Sequence, residues 1–196
     1  DVYKRQNKKY LPSVKIPESV FISSNLGLVI EKADLIIVAV PSFSTREVLE
    51  ILRKFLEFLF GKKVKKWPPI IGLAKGMEKE TLSLPSEIFE DVFGRMGVPY
   101  LHLSGPGFAS DVAKGKKVVE VLASDNQKIA EEIKEVLEVD KFRILLSDDL
   151  IGVQAGGVLK NILTIGIALA EATEKDQKIR NKVISLAIQE LVKIGT

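Results

Sequence analysis

Lys160 is the one charged residue between Asp149 and Glu171. It lies in Leu150-Ile-Gly-Val-Gln-Ala-Gly-Gly-Val-Leu-Lys-Asn-Ile-Leu-Thr-Ile-Gly-Ile-Ala-Leu-Ala170, otherwise a run of apolar and small residues. Helical spacing puts Gly156 and Gly157 one turn before Lys160 and Thr164 one turn after it, on one face. The ammonium then stands beside a floor almost bare of side chains. An unpaired buried charge is costly, so a lysine here needs a partner or a ligand. An anionic or carbonyl substrate would supply one. Two plainer readings compete. The run is about long enough to span a bilayer, but Lys160, Gln154, Asn161 and its glycines oppose lipid exposure. It could also be a core helix whose lysine reaches out to solvent.

Other residues could join it. Lys75 ends the apolar run Ile70-Ile-Gly-Leu-Ala-Lys75 and is followed by Gly76. It is read either as a phosphate or carboxylate contact or as a solvent-facing turn lysine. Ser104-Gly-Pro-Gly107 breaks the chain, as a tight turn or as backbone N–H groups offered to an anion. His102 alternates with Leu101 and Leu103 and reads as structural. Trp67, before Pro68-Pro69, reads as a loop anchor.

Composition removes several classes of chemistry. The chain has no cysteine and one histidine. That excludes disulfides, thiolate metal sites and a cysteine nucleophile, and opposes a histidine metal site or triad. No metal is expected. The net charge of +3 is modest, and the lysines are scattered except Lys62-Lys63 with Lys65-Lys66. That cluster reads as a solvated helix end, and no nucleic-acid surface is implied.

The elements that would position these residues alternate. Asp34–Val40 predicts a strand buried on both faces, stopped by Pro41. Ser44–Phe60 predicts a helix, Ile70–Lys75 a strand, and Ser86–Phe93 a helix. Tyr100–Ser104 follows as a strand and Phe108–Ala113 as a short helix. Val118–Ala123 and Phe142–Leu146 read as strands around a helix over Asn126–Leu137. After Ser147 only helix is predicted, with Lys178–Ile194 as a second long one. The fold class expected is therefore α/β, a doubly wound parallel sheet, followed by the start of an all-α domain. Ligands of such sheets bind beyond the carboxyl ends of the strands, where Val40-Pro-Ser42, Ala74-Lys75-Gly76 and Ser104-Gly-Pro-Gly107 lie.

The motifs in order resemble bacterial-type NAD(P)-dependent glycerol-3-phosphate dehydrogenase. They are Tyr10-Leu-Pro12, Ile16-Pro17, Ala33-Asp34, Ala39-Val-Pro-Ser42 and Arg46-Glu-Val48, then Lys75-Gly76 with Glu78 and Thr81, and Ser86-Glu87. Ser104-Gly-Pro106, Phe108-Ala109, Phe142-Arg143 and Ile151-Gly-Val153 follow, ending in Gly156-Gly157-x-Leu-Lys-Asn161. The resemblance implies a Rossmann-like domain over 7–147, with its first βα unit missing, and the start of a helical substrate domain over 148–196. Residues 1–6 read as a non-native leader, because Asp1-Val-Tyr-Lys-Arg-Gln6 resembles translated adapter sequence.

By this resemblance Lys160 is catalytic and acts on the C2 oxygen while hydride moves between nicotinamide and a three-carbon phosphate. Lys75, Gly105, Gly107 and Asn161 contact substrate, and Lys75 and Ala109 contact NAD or NADP. The implied substrate pair is dihydroxyacetone phosphate and sn-glycerol 3-phosphate, in the cytoplasm, supplying phospholipid precursors. A homodimer is compatible with it. Some positions depart from the family. Gly107 stands where Ser or Thr is usual, Ser185-Leu-Ala187 where Thr-Arg-Gly is expected, and Glu171-Ala172 where Asp-Gly is expected. The Gly-x-Gly-x-x-Gly fingerprint and the later Gly-Asp-Leu and Ser-Arg-Asn motifs do not occur, so the chain by itself is expected to be inactive. The alternatives are a non-catalytic nucleotide-binding module and a reductase for another 2-keto or 2-hydroxy acid.

Overall fold

The computed structural model describes residues 5–61, 67–173 and 176–195. Residues 1–4 of the expected leader and the Lys62-Lys63, Lys65-Lys66 cluster lie outside the described residues. The chain opens with a small antiparallel hairpin of β1 (Gln6–Asn7) and β2 (Leu11–Lys15). Arg5 closes it, its guanidinium donating to the carbonyls of Ile16, Pro17 and Val20.

A five-stranded sheet follows, in the order β3 (Ile36–Val38), β4 (Ile70–Gly72), β5 (Tyr100–Ser104), β6 (Val118–Ala123), β7 (Phe142–Ser147). The pairs β3–β4, β4–β5 and β6–β7 are parallel, while β5–β6 is antiparallel with Ser104 opposite Val121. The sheet is therefore mixed, a detail that hydrophobic runs alone do not carry, because a buried strand reads the same in either direction.

Helices cover both faces. On one, α1 (Leu26–Ile30), α2 (Thr45–Phe60) and α3 (Pro85–Phe93) pack on Ile36, Val38 and Ile70 through Leu49, Leu52, Leu56, Phe89 and Phe93. The buried leucines of α2 recur at three and four residues, as an amphipathic helix requires. A short 3₁₀ turn, Ser42–Ser44, leads into it. On the other face α5 (Gln127–Leu137) brings Ala130 and Ile133 against Ile71, Leu101, Leu122 and Ile144. Each fully buried aliphatic side chain of this kind contributes about 1.5–3 kcal/mol.

The expectation that 34–40 is buried on both faces is corrected. Only Ile36–Val38 is strand, and Ile37 is 48% exposed. Among the described residues β3 is the edge of the sheet, and α5 does not extend over Ile37. β4, one strand further in, is buried throughout.

After β7 the chain is helical: α6 (Leu150–Thr173) and α7 (Gln177–Gly195), packed on each other. By length and composition α6 could cross a membrane, yet its first half rests on β5 and β6. The antiparallel step in the sheet governs where α6 arrives. β7 ends at the edge of the sheet where β5 begins, with β6 between them, and α6 then runs along the sheet. Ten residues of helix span about 15 Å, close to the roughly 13 Å of β5, so Lys160 reaches the end where β5 stops.

Candidate active site

The turn after β5 is where the chemistry collects. The Lys75 Nζ donates to the carbonyl oxygen of Gly105 at 2.8 Å, and the Lys160 Nζ donates to the same oxygen at 3.3 Å. Lys75 comes from the loop after β4 and Lys160 from the third turn of α6, so the site joins the sheet to the helical segment. Lys160 also stands 4.9 Å from the ring centroid of Phe108, a cation–π distance. A cleft of about 260 Å³ opens here, lined by Ser104, Gly105, Pro106, Gly156, Gly157 and Lys160 among others.

The helix lies close because its contact face lacks side chains. A Cβ on Gly157 would come 2.7 Å from the Ser104 Oγ, whereas one on Gly156 would meet nothing within 4 Å. The register of α6 is fixed by Gln154. This buried amide accepts from the Ser86 N–H at 2.9 Å and donates to the Ser86 Oγ and the Leu150 carbonyl, each at 2.8 Å. Gln154 was not among the residues the sequence nominated. Its signal was a lone amide in an apolar helix, since a buried amide must find partners.

Burial, and then the charge of Lys160, lower the pKa of Lys75, with the Glu120 carboxylate opposing. His102 is structural, as expected. It is buried, bonded to the Tyr100 hydroxyl at 3.0 Å, and pushed down to about 4 by burial and then by Lys75. Burial also raises the Tyr100 phenol. Trp67 packs at the margin of the α2–α3 core.

Glu120 is the other residue the sequence did not nominate. It is 7% exposed, and its Oε1 accepts from the Gly107 N–H at 2.9 Å. Of the N–H groups that Ser104–Gly107 would offer an anion, the one at Gly107 is taken by this carboxylate. Ala109 is exposed at the first position of α4 (Ala109–Ala113). Asn161 is exposed on α6, and among the described residues it makes no hydrogen bond to the turn. The structure thus brings Lys75, Lys160 and Gly105 together, turns the Gly107 N–H to Glu120, and leaves Ala109 and Asn161 at the margin.

The loop carrying Lys75 is braced from behind. Arg46 of α2 makes a two-pronged pair with Glu78, at 2.7 and 2.8 Å, and reaches Asp91 at 3.0 Å. Thr81 donates to Glu78 at 2.6 Å, and these partners hold the Glu78 carboxyl down to about 2. Larger concavities exist elsewhere. One, about 710 Å³, lies beside Asp125, Asp148, Asp149 and Glu90 with no lysine or arginine in its lining, which unsuits it for an anion.

The sequence model described as NAD-dependent glycerol-3-phosphate dehydrogenase N-terminus matches residues 3–130. The chain belongs to that family. A glycerol-3-phosphate dehydrogenase (NAD(P)+) of Psychrobacter cryohalolentis is 32% identical over 191 residues, covering 97% of this chain and 42% of that protein. One from Sphingopyxis alaskensis is 30% identical over 190 residues, covering 97% and 54%. The crystal structure of the Coxiella burnetii glycerol-3-phosphate dehydrogenase superposes with a TM-score of 0.84 at 27% identity, over 98% of this chain and 56% of that one. The chain spans about half the length of the curated relatives it matches. As a member of the glycerol-3-phosphate dehydrogenase family, it has the mixed Rossmann-like sheet of that fold.

Proposed function

We propose that this chain carries the central part of an enzyme that reduces dihydroxyacetone phosphate to sn-glycerol 3-phosphate with NADH or NADPH, in the cytoplasm, toward phospholipid precursors. In this reading residues 7–147 belong to the dinucleotide-binding domain and 148–196 open the helical substrate domain. The observation that carries it is the convergence of the Lys75 and Lys160 ammonium groups on the Gly105 carbonyl. The shorter bond anchors Lys75. The longer one leaves Lys160 loosely held, so a ligand oxygen can replace the carbonyl as its acceptor at little cost.

Lys160 is the catalytic residue. Its ammonium polarises the C2 ketone oxygen, stabilises the charge that develops there and passes it a proton, leaving a hydroxyl. Lys75, with the backbone of Gly105, orients the substrate, Gly107 shapes the turn that presents it, and the paired positive charge attracts its phosphate. Asn161, at the rim, contacts substrate once it is bound. When bound, the nicotinamide cofactor supplies the hydride to C2.

The strand ends suit such a cofactor. A Cβ at Gly76 would lie 2.6 Å from the Ser42 Oγ, so the loops that follow β3 and β4 approach closely at the glycine. Lys75 and the exposed backbone of Ala109 are the residues of this chain that would hold the cofactor.

The test is to mix the complete protein that carries this chain with dihydroxyacetone phosphate and follow oxidation of NADH and NADPH in parallel. Oxidation with either supports the reading, and a folded protein that oxidises neither sinks it. The 196-residue chain assayed alone is expected to turn over nothing, since it covers only about half of its relatives.

A further inference from the structure

We propose that Glu120 is a positioning residue of this site. Its carboxylate fills the space that a side chain at 107 would occupy, and it holds the Gly105–Gly107 turn whose carbonyl gathers Lys75 and Lys160.

The antiparallel pairing of β5 and β6 sets Glu120 next to the turn. A Cβ added at Gly107 would fall on the Glu120 Oε1, 3.2 Å from its Cδ and 3.5 Å from the Val118 Cβ. A Cβ at Gly105 would fall on the Oε2, 2.9 Å from the Cδ and 3.0 Å from the backbone Cα of Glu120. The carboxylate is therefore seated between the two glycines of Ser104-Gly-Pro-Gly107, with 7% of the residue exposed. Its Oε1 takes the Gly107 N–H.

A carboxylate this enclosed needs compensation. The N–H supplies part of it and the nearby ammonium of Lys75 another part. The arrangement runs in a line: carboxylate, turn, Gly105 carbonyl, then two lysines at 2.8 and 3.3 Å. Glycine at 107 and glutamate at 120 are thus one unit. Each residue makes room for, or takes the place of, what the other lacks.

The proposal draws its functional meaning from the reductase reading, but its test needs no turnover. In the complete protein, Gly107→Ser, Glu120→Val and the double variant are compared by thermal unfolding. Gly107→Ser is expected to melt below wild type, because the serine Cβ evicts the carboxylate from its seat. The double variant is expected to melt above the Gly107→Ser single. The second arm is competitive acetylation of Lys75 across pH, read by mass spectrometry in wild type and Glu120→Gln. Three other titratable groups bear on that lysine or feel it: Lys160 from α6, Glu120 from β6 and His102 from β5.

Glu120→Gln keeps the acceptor and the shape while removing the charge, so the Lys75 profile moves to lower pH. A role in packing alone would leave that profile in place. Gly107→Ser melting with wild type, a double variant no better than the single, or an unmoved Lys75 profile would each overturn the proposal. A protein that reduces no dihydroxyacetone phosphate would remove the reductase reading and leave both arms decisive.

Discussion

The ammonium groups of Lys75 and Lys160 share one acceptor, the Gly105 carbonyl oxygen, at 2.8 and 3.3 Å. Like charges so placed repel, and the Lys160 charge is one cause of the lowered pKa of Lys75, second to burial. Replacing Lys160 with Met removes that second cause, so acetylation of Lys75 should shift to higher pH, toward its ordinary 10.5. The same variant should reduce kcat/KM for dihydroxyacetone phosphate by about 10²–10⁴-fold, the usual share of a positioned proton donor. An unchanged Lys75 profile would mean that the two lysines do not sense each other in solution.

Gln154 predicts a loss that reaches the site from outside it. Replacing it with Leu leaves the Ser86 N–H and hydroxyl buried without their partner. A lost buried hydrogen-bond partner costs about 1–3 kcal/mol, to be measured by denaturant unfolding of the complete protein. Because Gln154 fixes the register of the helix that carries Lys160, kcat should fall as well, while KM for the nicotinamide cofactor stays near wild type. Unchanged stability would show that the contact with α3 does not hold α6.

Much of this arrangement was legible in residue type and spacing. The strands over Tyr100–Ser104 and Val118–Ala123 and the helices α2, α5 and α6 follow from period and caps. Lys160 stood out because a lone charge in an apolar helix demands a reason. Glu120 did not stand out. In Val118-Val-Glu-Val-Leu-Ala123 a lone glutamate reads as solvated, and only the antiparallel pairing, which is a tertiary fact, sets it beside Gly105. Ile37 failed in the opposite sense. A β-branched run reads as buried on both faces, yet burial depends on a neighbouring layer that the run itself does not encode. The β1–β2 hairpin is illegible where residues 1–6 read as a leader, since Gln6 supplies half of β1.

The Arg46–Glu78 pair carries a pH prediction. The folded-state pKa of Glu78 is depressed to about 2 by Arg46 first and Thr81 second. A depressed carboxylate contributes stability that is complete above its ordinary 4.5 and lost as the pH falls through about 2. Thermal unfolding followed from pH 6 to about 2 should show wild type losing stability faster than Glu78→Gln over that window. Identical slopes would mean that the pair is solvated and makes no pH-dependent contribution.

The adjacent glycines of α6 should respond with opposite signs. At Gly156 a methyl group meets nothing within 4 Å, so Gly156→Ala gains only helix propensity, up to about 1 kcal/mol. At Gly157 the methyl lands 2.7 Å from the Ser104 Oγ and 3.8 Å from the Lys75 Cγ. Ser104 is 3% exposed and ends a central strand, so it cannot step aside cheaply. Gly157→Ala should cost about 1–3 kcal/mol as overpacking, and it should lift Lys160 away from the Gly105 carbonyl. Denaturant midpoints of the two variants in the complete protein measure the difference directly. If both variants shifted the same way, the close approach of α6 to β5 would not be what seats Lys160 beside Lys75.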